Sequence, residues 1–198
     1  MISSAPILKA YADTYPRVEI SLLCSSSPEL LAALGNGKAD LAVVEQAGDD
    51  SEGECLRVER LVWVGAKGGA AHRKDPLPVS IIADSCAFRP FIVSALKAKG
   101  RAWRIVFESG SIEATTATVR ADLAVTAWLA CTVPSDLDIL GPESALPGLP
   151  PFAITLHVPK HGLTAAAAQL ARHVRDGLTR QPFAGAPHVG EPRSRSAF

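Results

Sequence analysis

An α/β fold in two lobes, with mostly parallel strands, is predicted by three observations. Strand-like and helix-like patterns alternate along nearly the whole chain. Its 198 residues suit one large domain or two small lobes. The alternating elements also fall into two strand–helix–strand groups, which fits two lobes joined by crossing strands.

Leu8, Tyr11, Ala12 and Tyr15 recur at the spacing of one helix face, and Pro16 ends that helix. Val18–Cys24 alternates, with Val18, Ile20, Leu22 and Cys24 on one side, and predicts a strand. Ser25-Ser26-Ser27 followed by Pro28 predicts a helix start, with Ser27 at the N-cap and Pro28 in the first helical position. Leu30, Leu31 and Leu34 continue that helix, and Gly35-Asn36-Gly37 closes it. Asp40–Glu45 is a short apolar run of the kind buried in a parallel sheet. The polar stretch Gln46–Glu54 reads as a surface loop, Arg60–Ala66 as a strand and Lys67–Pro78 as a connection.

Val79–Ala83 is predicted as a strand. Phe88, Phe91, Ile92, Ala95, Leu96 and Lys99 then fall at helical spacing, with Gly100 after them. Trp103–Phe107 alternates as a strand, Ser111–Arg120 is helical behind Ser109-Gly110-Ser111, and Leu123–Trp128 is a strand again. A Pro/Gly-rich crossing occupies Val133–Pro151 and contains Leu137-Asp138-Ile139-Leu140. Phe152–Val158 is the return strand. Leu163, Ala167, Leu170, Val174 and Leu178 mark a last amphipathic helix. Arg180–Phe198, rich in Pro, Gly, Ser and Arg, reads as a disordered tail.

Composition narrows the function classes. Lys and Arg total 20, and so do Asp and Glu, so the formal net charge is zero. A free-standing nucleic-acid-binding domain carries a basic excess or stripe; here the basic residues are scattered, Arg193 and Arg195 in the tail among them. There is no apolar run of roughly 18 residues, which argues against a membrane span. Met1–Pro6 lacks the basic and apolar regions of a signal peptide, so a cytoplasmic location is expected. Cys24, Cys55, Cys86 and Cys131 form no paired motif and are expected as free thiols, with no metal and no cofactor. Phosphate-loop, dinucleotide and serine-hydrolase signatures are missing from the sequence, and no enzyme activity is expected.

Candidate binding places can be located from the predicted elements. In open α/β sheets ligands lie beyond the carboxyl ends of the strands, where helix N-termini offer unbonded N–H groups and a favourable dipole to an anion. Three such places occur. At Ser26 and Ser27, the serine serves as helix cap, ligand contact or both. At Ser85-Cys86-Ala87-Phe88-Arg89, Arg89 either clamps a carboxylate or faces solvent. A thiol at a helix N-terminus such as Cys86 tends towards a lower pKa. The third place is Ser109-Gly110-Ser111, with Thr126 on the following strand end and Gly65 at the hinge. The ligand-binding candidates are therefore Ser26, Ser27, Gly65, Cys86, Phe88, Arg89, Ser109 and Thr126.

The ordered series YPRVEI, SSSPELLAALGNGKADLAVVE, LVWVGAKG, CAFRPFIVSALKAKGRAWRIVFESGSIEATTATVRADLAVTA and FAITLHV resembles the effector-binding domain of LysR-type transcriptional regulators, over nearly the whole chain to about Leu178. The resemblance implies two Rossmann-like lobes in the periplasmic-binding-protein type 2 architecture. Lobe 1 would hold residues 1–65 and 149–178, lobe 2 residues 66–140, with 141–148 crossing between them and 179–198 as tail. It implies a small-molecule effector in the cleft, a carboxylate by family habit, and side-by-side homodimers.

The family's helix-turn-helix is not in this sequence, so no direct DNA binding by this chain is expected. The first strand of lobe 1 is absent or cut short, at a cost to that lobe's stability. Cys86 resembles the reactive cysteine of the family's peroxide-sensing branch. No second cysteine follows within a few turns, which favours a pocket wall over a disulfide switch. A periplasmic-type solute-binding protein shares the fold and is the alternative.

Overall fold

Helix α1 (Ala5–Thr14) turns Ile7 and Tyr11 inward, one residue off the predicted face. The computed structural model describes residues 5–48, 53–82, 86–109 and 111–179. Tyr11 is 1% exposed, and its hydroxyl donates to the carbonyl of Ala166, 2.9 Å away, at the start of α5 (Ala165–Thr179). The two helices touch closely: a Cβ on Gly177 would lie 2.5 Å from the Ile7 side chain, which would have to shift to admit it.

The predicted strand Val18–Cys24 does not form. A strand needs neighbours for its backbone groups, and among the described residues none runs beside it. Leu22 and Leu23 stand 60% and 53% exposed as a result. Helix α2 (Ser27–Gly35) forms as predicted and strand β1 (Ala42–Ala47) lies two residues later than predicted, running into the expected loop, with Leu34 packed on Ala42 and Val44.

Strand β2 (Glu54–Ala66) starts six residues before the predicted Arg60. The remaining elements are β3 (Leu77–Ile82), α3 (Arg89–Ala98), β4 (Trp103–Ser109), α4 (Ile112–Arg120), β5 (Thr126–Leu129), β6 (Leu137–Ile139) and β7 (Pro151–His157). The predicted tail, residues 180–198, lies outside the described residues.

Parallel pairing is the minority, against expectation. β3 and β4 pair in parallel, and Val125 bridges to Val79 in the same sense. The other sheet, in the order β1-β7-β2-β5 with β6 also on β2, is antiparallel throughout. The reason is β2 and β7, which carry the chain in opposite directions through that sheet. Residues 54–60 of β2 pair with β7, and from Leu61 onward β2 pairs with β5 and then β6. The main core runs through this change of partner, from Leu156, Ala171 and Leu178 to Leu77, Ile92 and Leu96. Among the described residues no helix is long and apolar enough to cross a membrane.

Asp122, between α4 and β5, has φ +52°. Its carboxylate accepts from the N–H groups of Ala70 and Ala71, both at 2.9 Å. Burial pushes its pKa up, but those two N–H groups and the charge of Lys74 outweigh burial and hold it below the ordinary aspartate value. A depressed carboxyl contributes stability that is full above its unfolded pKa and is lost as pH falls through the folded value. Asp122→Asn keeps the turn conformation but only one acceptor. It should cost about 1 kcal/mol at neutral pH, a difference that shrinks in acid. Urea midpoints of both proteins from neutral to acidic pH check this: parallel curves would contradict it.

Candidate functional site

The N-terminus of α2 is built by Ser26. Its N–H and hydroxyl both donate to Glu29, at 3.1 and 2.8 Å, and Ser26 is the N-cap. The cap is therefore one residue earlier than the predicted Ser27, because Glu29 three positions on completes a capping box with Ser26. Ser27 is released for another task. Its hydroxyl donates to the carbonyl of Glu45 at 3.1 Å and accepts from the Glu45 N–H at 3.3 Å. A serine side chain thus takes the place of a neighbouring strand on the outer edge of β1 and fixes the end of that strand against α2.

Glu45 sits near the carboxyl end of β1, half-buried. Cross-strand register sets its company. Glu45, Ile154 and Arg57 form one row on a single face of the sheet, and Ala47, Phe152 and Glu59 form the next. Arg57 is committed to an ion pair with Glu59, their side chains 7% and 1% exposed. Burial raises the Glu45 carboxyl above the ordinary glutamate value.

The start of α3 comes from the other side. Phe88 is 9% exposed and stacks edge-on against Phe152 of β7, with centroids 4.8 Å apart. It is a packing residue, buried against that ring. Arg89 pairs with the carboxylate of Glu108 on β4, so a ligand carboxylate would have to share it. Cys86 is half-buried, and its thiol is raised, opposite to the predicted fall. Burial is the larger effect. It outweighs the N–H groups of Phe88 and Arg89, which lower the pKa, and Glu45 adds to the rise. Glu45 from β1 and Arg89 from α3 both act electrostatically on this thiol, which puts the two ends within range of one another.

The other candidates are held by strand pairing. Gly65 pairs with Asp138 on β6, where an added Cβ would meet Leu140 at 3.3 Å. Thr126 lies opposite Val64 and is 3% exposed, within the sheet. Ser109 ends β4 opposite Ile82, and Ser111 caps α4 by accepting from Ala114 at 3.2 Å. Ser27, Cys86 and Arg89 are the candidates brought together; Glu45 and Glu108 were missed. The signal for Glu45 was a charged residue closing an apolar strand at its carboxyl end. A depression of about 340 Å³ between the end of α3 (Ala95, Ala98, Lys99) and Leu146–Gly148 lies at the far end of that helix.

Comparison with known proteins bears on what such a cleft does. The family described as "LysR substrate binding domain" matches residues 4–179. The HTH-type transcriptional regulator DgdR of Burkholderia cepacia is 29% identical over 170 residues, covering 86% of this chain and 58% of the relative. The HTH-type transcriptional regulator PecT of Dickeya dadantii (strain 3937) is 26% identical, over 73% of this chain and 46% of the relative. The chain thus spans about half the length of these relatives.

Among solved structures, the CcmR regulatory domain of Synechocystis PCC6803 in complex with 2-PG superposes with a TM-score of 0.69 at 16% identity, covering 89% of this chain and 91% of that one. The effector-binding domain of QuiR in complex with shikimate gives 0.65 at 15%, covering 88% and 90%.

Proposed function

Since the chain belongs to the LysR substrate-binding domain family over residues 4–179, we propose that it is the effector-sensing domain of a LysR-type regulator, with its effector site between the α2 and α3 N-termini. The observation that supports this placement is the meeting of Ser27 and Glu45 from one side with Cys86 and Arg89 from the other. Lobe 1 is assigned to residues 1–65 and 149–178 and lobe 2 to 66–140. The change of partner along β2 after Arg60 supports a hinge near the end of the first segment. The relatives' names favour a regulator over a solute-binding protein.

The ligand is a small molecule, in keeping with the shikimate and 2-PG in the similar domains. Its binding shifts the population of lobe orientations. The shift passes through a dimer to a DNA-binding part. The role is binding rather than catalysis, in the cytoplasm with the DNA. A carboxylate on the ligand would find Arg89, shared with Glu108.

A metabolite screen by thermal shift tests the site. For whichever compound raises the unfolding midpoint, Ser27→Ala and Arg89→Ala should each weaken binding about tenfold, roughly 1.4 kcal/mol. Wild-type affinity in both variants would sink the placement.

A further inference from the structure

We propose that the effector presents a protonated amine to the carboxylate of Glu45. This rests on the reading of the cleft as an effector site and adds the charge class that the site selects. Glu45 shares its face of β1 with Val43 and Ala47, which pack against the same core that receives Cys86 and Ala87. Its side chain is therefore turned away from α2, which covers Ala42 and Val44 on the opposite face. Its backbone is held at both N–H and C=O by Ser27, which fixes the strand end that carries the side chain.

The charged side chains of the described residues around it are paired with one another, and burial outweighs the opposing charge of the N-terminal amine. Arg57, in the same cross-strand row, lies two strand spacings away, about 10 Å, and pairs with Glu59. Arg89 pairs with Glu108. Cys86 offers a thiol whose pKa is raised, chiefly by burial, and so brings no positive charge. Among the side chains of the described residues, two carboxylates with two guanidiniums cancel, and Glu45 is left over. Among the described residues no cation or hydrogen-bond donor reaches its carboxylate. A half-buried carboxylate without a partner costs free energy, and an ammonium supplies both the charge and the hydrogen bonds. A ligand bearing only a carboxylate would meet repulsion at this end of the cleft.

Three probes of one shape and different charge test the proposal on the full chain: butylammonium, butyrate and 1-butanol at equal ionic strength. Butylammonium should raise the unfolding midpoint saturably and more than the other two, and Glu45→Gln should weaken its binding at least tenfold. In the wild-type protein, independently of any variant, butylammonium should shift the amide resonances of Glu45 and Ser27. Shifts elsewhere alone, or an unaltered affinity in Glu45→Gln, would overturn the proposal. Preference for butyrate that is lost in Arg89→Ala would overturn the amine and leave the effector cleft standing. No response to these probes or to any compound of the metabolite screen would overturn both.

Discussion

Replacing Glu59 with Gln is expected to lower the free energy of unfolding by about 3–5 kcal/mol, one of the largest single-residue effects in the chain. Glu59 lies on β2 opposite Phe152, with its side chain 1% exposed, and Arg57 beside it is 7% exposed. Both charges left water on folding, and each compensates the other's desolvation. Removing one leaves a guanidinium buried against a neutral amide, so the loss exceeds what the pair itself contributed. In a domain of this size the midpoint should fall by about 10 °C.

The control separates ion pairing from packing. Arg57→Met with Glu59→Leu removes both charges at similar volume and should recover most of the loss. Cys131 supplies a second readout. Burial raises its thiol first, Glu59 adds to the rise and Arg57 opposes it. Glu59→Gln should therefore speed alkylation of Cys131 in the folded state. A loss below about 1 kcal/mol in urea unfolding, the range of an exposed pair, would refute the account.

That pair also marks where reading the sequence stopped. Arg60–Ala66 was legible as a strand because it is apolar. Glu54–Arg60 was not, because Glu54, Arg57, Glu59 and Arg60 look like a solvated loop, and only the structure turns Arg57 and Glu59 inward while Glu54 and Arg60 stay exposed. Val18–Cys24 failed the other way. Its alternation is real, but alternation describes a face and says nothing of whether a neighbouring strand exists to bond the backbone. The sense of pairing was equally hidden, since β2 and β7 would alternate the same way in either orientation.

In the site, Ser27 and Cys86 could be found by position alone, as residues between a strand end and a helix start. The serine's partner could not be found so. Ser26 and Ser27 compete for one cap, and Glu29 decides between them. Glu45 read as the polar end of an apolar run, and the pairing of Arg89 with Glu108 joins two residues that only the adjacent strand brings together.

Phe152→Ala should cost about 3–5 kcal/mol and weaken effector binding as well, and the second effect separates it from an ordinary core deletion. Phe152 is 1% exposed and stands in β7 between Ala47 of β1 and Glu59 of β2. From that sheet its ring meets Phe88 edge-on at 4.8 Å and Phe91 at 5.2 Å, both near the start of α3. Each edge-on pair adds about 0.5–1.5 kcal/mol beyond the area it buries.

Phe88 lies between Cys86 and Arg89, so the same contact that stabilises the core also sets where the α3 N-terminus stands relative to Glu45. Removing the ring frees that helix end to shift, and the groups on the two sides of the cleft lose their common geometry. Phe152→Leu keeps much of the volume while losing the edge-on geometry, and should retain most of the stability. If affinity depends on where α3 stands, Phe152→Leu should still bind effector more weakly than wild type. If affinity follows stability alone, Phe152→Leu should bind almost as wild type does. Urea unfolding and effector titration of the three proteins distinguish the two, and equal affinity in Phe152→Leu and wild type would show that this aromatic contact holds the core without positioning the site.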